Sequence, residues 1–230
     1  MNKILVMGSG SWGTALVKIL LESANMHVDW WVRSPDMAEY INTKGRNPKY
    51  LRSVKLDTNR LKASSDVQEL VAANDTILLV TPSAFVSDIL DQLTNEQLIG
   101  KKIISAIKGV EPKSLKIVGE YLIEHKGVNE SDFGVITGPC HAEEVAQEKL
   151  SYLTFASTST VFCEKMCAAL DCGYIKVTPS ADIYGTEISA VLKNVYAIAA
   201  GMCHSLGYGD NFQAVLVSNA IREIKRFIEA

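Results

Sequence analysis

The sequence predicts an α/β protein, with a doubly wound, mostly parallel sheet covered by helices and then a wholly helical segment. Three observations predict it. Short apolar runs alternate with amphipathic stretches of helix length up to residue 178. A glycine cluster separates the first run from the first amphipathic stretch, and strand signals stop near residue 182, leaving only helical periodicity.

Residues 4–8 form the nearly all-apolar run that a buried parallel strand needs. Gly8, Gly10 and Gly13 follow at the spacing G-x-G-x-x-G, ahead of a helix expected over 11–22 with Ala15, Leu16, Ile19 and Leu20 on one side. Gly8 turns the chain off the strand, Gly10 leaves room for a pyrophosphate to approach the backbone, and Gly13 lets the helix pack closely on the sheet. The free N–H groups and the positive end of the helix then face the phosphates. Glycine turns are common, but this one sits after a strand and before a helix, which makes it a dinucleotide site of the Rossmann type. Residues 27–32 read as the second strand. NAD sites place an acidic residue about twenty positions beyond the glycines, whereas an arginine there suits the 2′-phosphate of NADP. Asp29 comes too early and falls within the strand, and Arg33 follows it. NADPH is therefore favoured over NADH, the alternative being that Arg33 is a solvated loop charge.

Residues 34–62 are polar and carry Pro35, Gly45 and Pro48, a short helix and then an extended loop. Tyr50 in that loop lies either against the adenosine or on the surface. Residues 66–73 are amphipathic, and 75–80 form a buried strand ending in Thr81-Pro82-Ser83, where the proline stops the ladder at the ligand-binding edge of the sheet. A helix is expected over 85–93 and a strand over 102–107, ending at Lys108-Gly109. That address points Lys108 into the crevice; the plain alternative is an exposed lysine opening a loop. A helix over 115–124 and a strand over 133–137 lead into G-P-C-H-A-E-E-V at 138–145, a glycine–proline turn opening a helix with early acidic residues. Backbone N–H groups there could hold a substrate oxygen. Residues 152–156 and 174–177 extend the sheet around a helix over 161–170. The expected division is a dinucleotide-binding domain over 1–178 and the start of a helical substrate domain over 179–230.

Residues 187–201 read E-I-S-A-V-L-K-N-V-Y-A-I-A-A-G. Ile188, Val191, Leu192, Val195, Ile198 and Ala199 share one face, and Lys193 falls opposite, among Ser189, Ala190, Ala197, Ala200 and Gly201. Small residues around a lysine predict close packing, so Lys193 is expected to be partly buried beside a ligand, where desolvation lowers its pKa toward an acid–base range. An ordinary exposed lysine on a helix that packs by one face is the competing reading.

The 230 residues are 47% hydrophobic, enough for a sizeable core. Lys plus Arg number 23 and Asp plus Glu 26, a formal charge of −3 with no basic block, which argues against a nucleic-acid partner. No apolar run reaches the 18 or so residues of a membrane span, and no signal-peptide pattern precedes the first strand, so a cytoplasmic protein is expected. The five cysteines, Cys140, Cys163, Cys167, Cys172 and Cys203, are odd in number and lack metal-ligand spacing; reduced thiols and no metal site are expected.

Taken together, the segments G-S-G-S-W-G-T-A-L at 8–16, V-T-P-S at 80–83, I-K-G-V-E-P at 107–112, G-P-C-H-A-E-E-V-A at 138–146, the helix at 187–201 and L-G-Y-G-D-N at 206–211 resemble the bacterial NAD(P)-dependent glycerol-3-phosphate dehydrogenases, in order over almost the whole chain. The resemblance implies a helical second domain like that of 6-phosphogluconate dehydrogenase, and reversible reduction of dihydroxyacetone phosphate to sn-glycerol 3-phosphate for phospholipid synthesis. It also implies that Ser11, Trp12, Arg33, Lys108 and Ala142 contact the cofactor, that Lys108, Gly138 and Cys140 contact substrate, and that Lys193, with Asn194 beside it, donates and accepts the proton. A small-molecule substrate is the expected partner and a homodimer the assembly allowed for. Two departures stand out. The family usually has serine or threonine where this chain has Cys140, and a thiol is the weaker donor. Family members also continue beyond residue 230 with further substrate-binding residues, so a truncated form is expected, one in which turnover is in question. The competing functions are another β-hydroxyacid dehydrogenase, acting on 3-hydroxyisobutyrate or 6-phosphogluconate, and a cofactor-binding module without catalysis.

Overall fold

The structure is a computed structural model and describes residues 2–229. The chain runs β1 (Lys3–Met7), α1 (Ser11–Glu22), β2 (His27–Trp31), α2 (Pro35–Lys44), β3 (Leu61–Ser64), α3 (Val67–Ala72), β4 (Thr76–Leu79), α4 (Val86–Leu90), α5 (Asn95–Leu98), β5 (Lys102–Ser105), α6 (Val118–Lys126), β6 (Phe133–Thr137), α7 (Ala142–Ala146), β7 (Ser151–Ala156), α8 (Thr160–Leu170) and β8 (Ile175–Ser180). Two long helices follow, α9 (Ile183–Ser205) and α10 (Asp210–Glu229).

The strands form one sheet in the order β3-β2-β1-β4-β5-β6-β7-β8. The first six in that order are parallel; β6 pairs with β7 antiparallel, and β7 with β8 parallel. The order reverses between β1 and β4, the switch point where such sheets bind ligands. Strand geometry sends successive side chains to opposite faces. Ile4 and Val6 accordingly join a core under α1, α2, α7 and α8, while Leu5 and Met7 join a second core under α3, α4 and α6. All four are fully buried, as the apolar run predicts.

Several elements differ from expectation. The helix expected over 85–93 is split. Ser83–Phe85 is a 3-10 turn, Phe85 sits at φ −117° and ψ 6°, and α4 stops at Leu90. The short α5 was not expected, although Thr94 and Gln97 form a capping box that marks its start. The helix expected from 115 begins at Val118, because Glu111 captures the turn before it: its carboxylate accepts from the amides of Lys113 and Ser114 and from the Ser114 hydroxyl at 2.6–3.1 Å. Leu115 is left in the left-handed region, at φ 58°.

The expected packing of α9 needs the largest correction. Its buried residues are Gly185, Glu187, Ile188 and Ala190, all in the first turns. From there the apolar face lies open, with Val195 60% and Ile198 66% exposed. Lys193 is exposed rather than partly buried. No helix among the described residues is long and apolar enough to cross a membrane.

Candidate functional site

A cleft of about 840 Å³ opens at the C-terminal edge of the parallel strands, lined by residues 8–13, Arg33, Tyr50, the 80–83 turn and Lys108. The turn after β1 shapes its floor. Gly8 has φ +132°, and a Cβ there would meet the Val80 carbonyl oxygen at 2.8 Å; a Cβ on Gly13 would meet the Gly8 carbonyl oxygen at 2.3 Å. Gly10 is different, since a Cβ there would meet nothing within 4 Å. Gly8 and Gly13 are therefore required by the fold, whereas Gly10 leaves open space above the turn.

Three residues that sequence reasoning did not single out hold this turn. Trp30, fully buried on β2, donates its indole N–H to the Gly8 carbonyl at 2.9 Å. Asn47 donates to the Ser9 carbonyl and to the Thr14 hydroxyl, and accepts from the amides of Lys49 and Tyr50. Thr14 in turn donates its hydroxyl to the Gly10 carbonyl at 2.9 Å. The Asn47-Pro48 pair is a turn signal that could have marked Asn47; no local pattern marks Trp30 as other than core.

The α1 N-terminus has Gly10 as its cap residue, no side-chain cap among the described residues and no acid in its first turn. Its amides and dipole are left to an anion entering the cleft. Asp29 is unavailable to a ribose, being buried in β2 with its carboxylate 2.8 Å from the Lys3 ammonium and 2.7 Å from the Asn74 amide. Arg33 is exposed at the cleft wall. The Trp12 indole N–H is buried without a hydrogen-bond partner among the described residues, and an unpaired buried donor is costly unless a ligand fills the role. The uncapped helix, the open space over Gly10 and this orphaned donor all fit a bound dinucleotide.

Lys108 stands at the other side of the cleft, half-buried, with its ammonium 5.5 Å from the centre of the Trp12 ring. Burial depresses its pKa and the charge of Lys193 depresses it further, while a Cys140 thiolate would raise it. Lys108 thus feels the charges of Lys193 and Cys140, although all three are far apart in sequence. Cys140 is buried and donates its thiol to the Tyr152 carbonyl at 3.1 Å; burial pushes that thiol up, and Tyr152 and Lys108 draw it partly back. Gly138, Cys140 and Ala142 lie outside the cleft lining. A Cβ on Gly138 would meet the Tyr152 carbonyl at 2.3 Å, so its position serves the close approach of β6 to β7. Ala142 is buried at the start of α7, which packs on α1. Lys193 and Asn194 are exposed on α9.

Residues 3–163 match the family model described as NAD-dependent glycerol-3-phosphate dehydrogenase N-terminus, and residues 182–230 match its C-terminus counterpart. The chain belongs to the NAD-dependent glycerol-3-phosphate dehydrogenase family. Among its relatives is the glycerol-3-phosphate dehydrogenase [NAD(P)+] of Azotobacter vinelandii, 36% identical over 97% of this chain and 64% of that protein. The enzyme of the same name from Oceanobacillus iheyensis is 37% identical over 98% of this chain and 65% of its own length. The chain therefore spans just under two thirds of these relatives. The crystal structure of glycerol-3-phosphate dehydrogenase from Coxiella burnetii superposes with a TM-score of 0.87 at 27% identity, over 99% of this chain and 69% of that one. The family match agrees with the Rossmann-type sheet and the helical segment described above, and with NAD or NADP as the cofactor.

Proposed function

We propose that this chain carries the cofactor site and the proton-transfer lysine of an oxidoreductase that reduces dihydroxyacetone phosphate to sn-glycerol 3-phosphate, with NADPH favoured over NADH. The observation that carries the reading is the half-buried Lys108 ammonium at the cleft wall, 5.5 Å from the centre of the Trp12 ring beside the glycine turn. The charge of Lys108, disfavoured by burial and then by the field of Lys193, is relieved by a ligand that is anionic or becomes so as it reacts.

The uncapped amides of α1 hold the pyrophosphate, with Gly10 leaving the space for it. Ser11, Trp12 and Lys108 face the cofactor, with Ala142 behind them at the start of α7, and Arg33 offers its guanidinium to the 2′-phosphate. When bound, the reduced nicotinamide supplies the hydride. Lys193 gives its proton to the carbonyl oxygen of the substrate, and Lys108, with Gly138 and Cys140 nearby, steadies the charge that builds on that oxygen. The division into a cofactor domain ending near 178 and a substrate domain beyond it accompanies this reading, supported by the change from sheet to helix between Ser180 and Ile183.

A second reading, cofactor binding without turnover, is favoured by one observation: α9 is open around Lys193, so this chain leaves water at the site of proton transfer. NADPH oxidation with dihydroxyacetone phosphate, read against a panel of other ketones and keto acids, decides between them. Oxidation with dihydroxyacetone phosphate alone supports the dehydrogenase. NADPH binding with no oxidation across the panel supports the second reading.

A further inference from the structure

Glu187 lies in the first turns of α9, has no exposed surface and takes no part in the cleft. Its carboxylate rests instead on the N-terminus of α6. The Gly119 amide donates to its two oxygens at 3.1 and 3.3 Å, across 68 residues of sequence. The cap residue of α6, Ile117, has no side chain able to satisfy that amide. Glu187 is thus the cap of a helix in the sheet domain, supplied by a helix outside it.

The fit is a close one. A Cβ on Gly119 would stand 2.8 Å from the Glu187 Oε2 and 2.6 Å from the Phe133 ring, so only glycine lets the carboxylate reach the amide. An apolar side chain would fill the same space at lower desolvation cost. What the carboxylate adds is direction: the two hydrogen bonds fix both the rotation of α9 about its axis and its height against the sheet. The rest of the α9 seat is Gly185, Ile188 and Ala190, and apolar contacts of that kind slide easily. Lys193 follows six residues later, about 9 Å along the helix, on a part of α9 whose neighbour is α10, which donates from Gln213 to the Ala200 carbonyl, rather than the sheet.

We infer that Glu187 is a positioning residue for Lys193, which by capping α6 fixes where α9 holds Lys193 relative to Lys108. The inference rests on the reading of Lys193 as the proton donor, and its test separates the two. In the full chain, the lysines are dimethylated with carbon-13 and the titration of the Lys108 amine is followed by NMR in wild type, Glu187→Gln, Glu187→Ala and Gly119→Ala. Loosening the anchor moves Lys193 away, so the Lys108 midpoint should rise in Glu187→Ala and Gly119→Ala and move back toward wild type in Glu187→Gln, which keeps one acceptor oxygen. A change in global stability alone would not move it. Where turnover is measured, kcat should fall by up to about a hundredfold in Glu187→Ala, with NADPH affinity within a few-fold of wild type. A Lys108 midpoint that stays put in all the variants overturns the inference, whatever the turnover. A Lys193→Ala variant that still turns over would instead remove Lys193 from the chemistry, a result the Glu187 variants cannot produce.

Discussion

Adding one methyl group at Gly10 and at Gly13 should have opposite consequences, because the same motif serves the fold at one position and the ligand at the other. At Gly13 the new Cβ would stand 2.3 Å from the Gly8 carbonyl oxygen and 3.2 Å from Val80 Cγ1, so α1 must withdraw from β1 by about 1 Å to restore ordinary contact. Residues Gly13 to Val17 of α1 are all buried, and the strain falls on a packed core at a cost of about 1–3 kcal/mol. With a urea m-value of about 3 kcal/mol/M for a chain of this size, the midpoint drops by up to about 1 M. At Gly10, φ −73° and ψ −176° suit any residue and the Cβ meets nothing. Stability should stay level or rise by about 0.5 kcal/mol, since alanine reduces the freedom of the unfolded chain. The methyl instead occupies the space through which the pyrophosphate approaches, and NADPH affinity should fall at least about tenfold, which is 1.4 kcal/mol. Urea denaturation followed by tryptophan fluorescence gives the first quantity and NADPH titration the second. A Gly10→Ala chain that binds NADPH as tightly as wild type, or a Gly13→Ala chain that is equally stable, would refute this division of labour.

Three further outcomes follow from the same geometry. Arg33→Gln should weaken NADPH by about tenfold or more while leaving NADH unchanged, as expected for loss of one charge-assisted contact to a phosphate; equal losses for both cofactors would move Arg33 away from the 2′-phosphate. Trp30→Phe removes the indole donor to the Gly8 carbonyl and part of a fully buried ring, and should cost about 3 kcal/mol in urea denaturation. Burial raises the Glu187 carboxyl from 4.5 to about 7, against the amides of Gly119 and Val118 that pull it down. The folded chain therefore holds that proton more tightly than the unfolded one. Its contribution to stability is fully present below 4.5 and is lost as pH rises through about 7, by up to roughly 3 kcal/mol. Stability measured from pH 5 to pH 8 should show this decline in wild type, and Glu187→Gln should flatten it.

The sheet and its cofactor edge were readable because each rests on local pattern. The α1 helix and β6 have the boundaries expected, since a glycine turn opens the one and the Gly138-Pro139 turn ends the other. Asp29 falls within β2, as the strand pattern requires, and Lys108 lines the cleft although β5 ends three residues before it, at Ser105. What stayed illegible depends on partners distant in sequence. The antiparallel run of β7 leaves no trace in a strand buried among neighbours. The delayed start of α6 follows from Glu111, which recruits the Lys113 and Ser114 amides into a turn. Periodicity left the buried and the exposed readings of Lys193 both open and did not show Ile198 exposed, because it shows that a helix has an apolar face, not whether anything covers it. Glu187 was invisible for the same reason: only the fold brings it to the N-terminus of α6.

The central claim is that the glycine turn and Lys193 serve different steps, one holding NADPH and the other protonating the ketone oxygen. Its most direct test measures NADPH binding, and NADPH oxidation on addition of dihydroxyacetone phosphate, in wild type and Lys193→Ala side by side. Substrate-dependent oxidation in wild type, lost in Lys193→Ala with NADPH binding within a few-fold, is the result predicted. Oxidation that survives in Lys193→Ala, or tight NADPH binding by wild type with no oxidation when dihydroxyacetone phosphate is added, would contradict it.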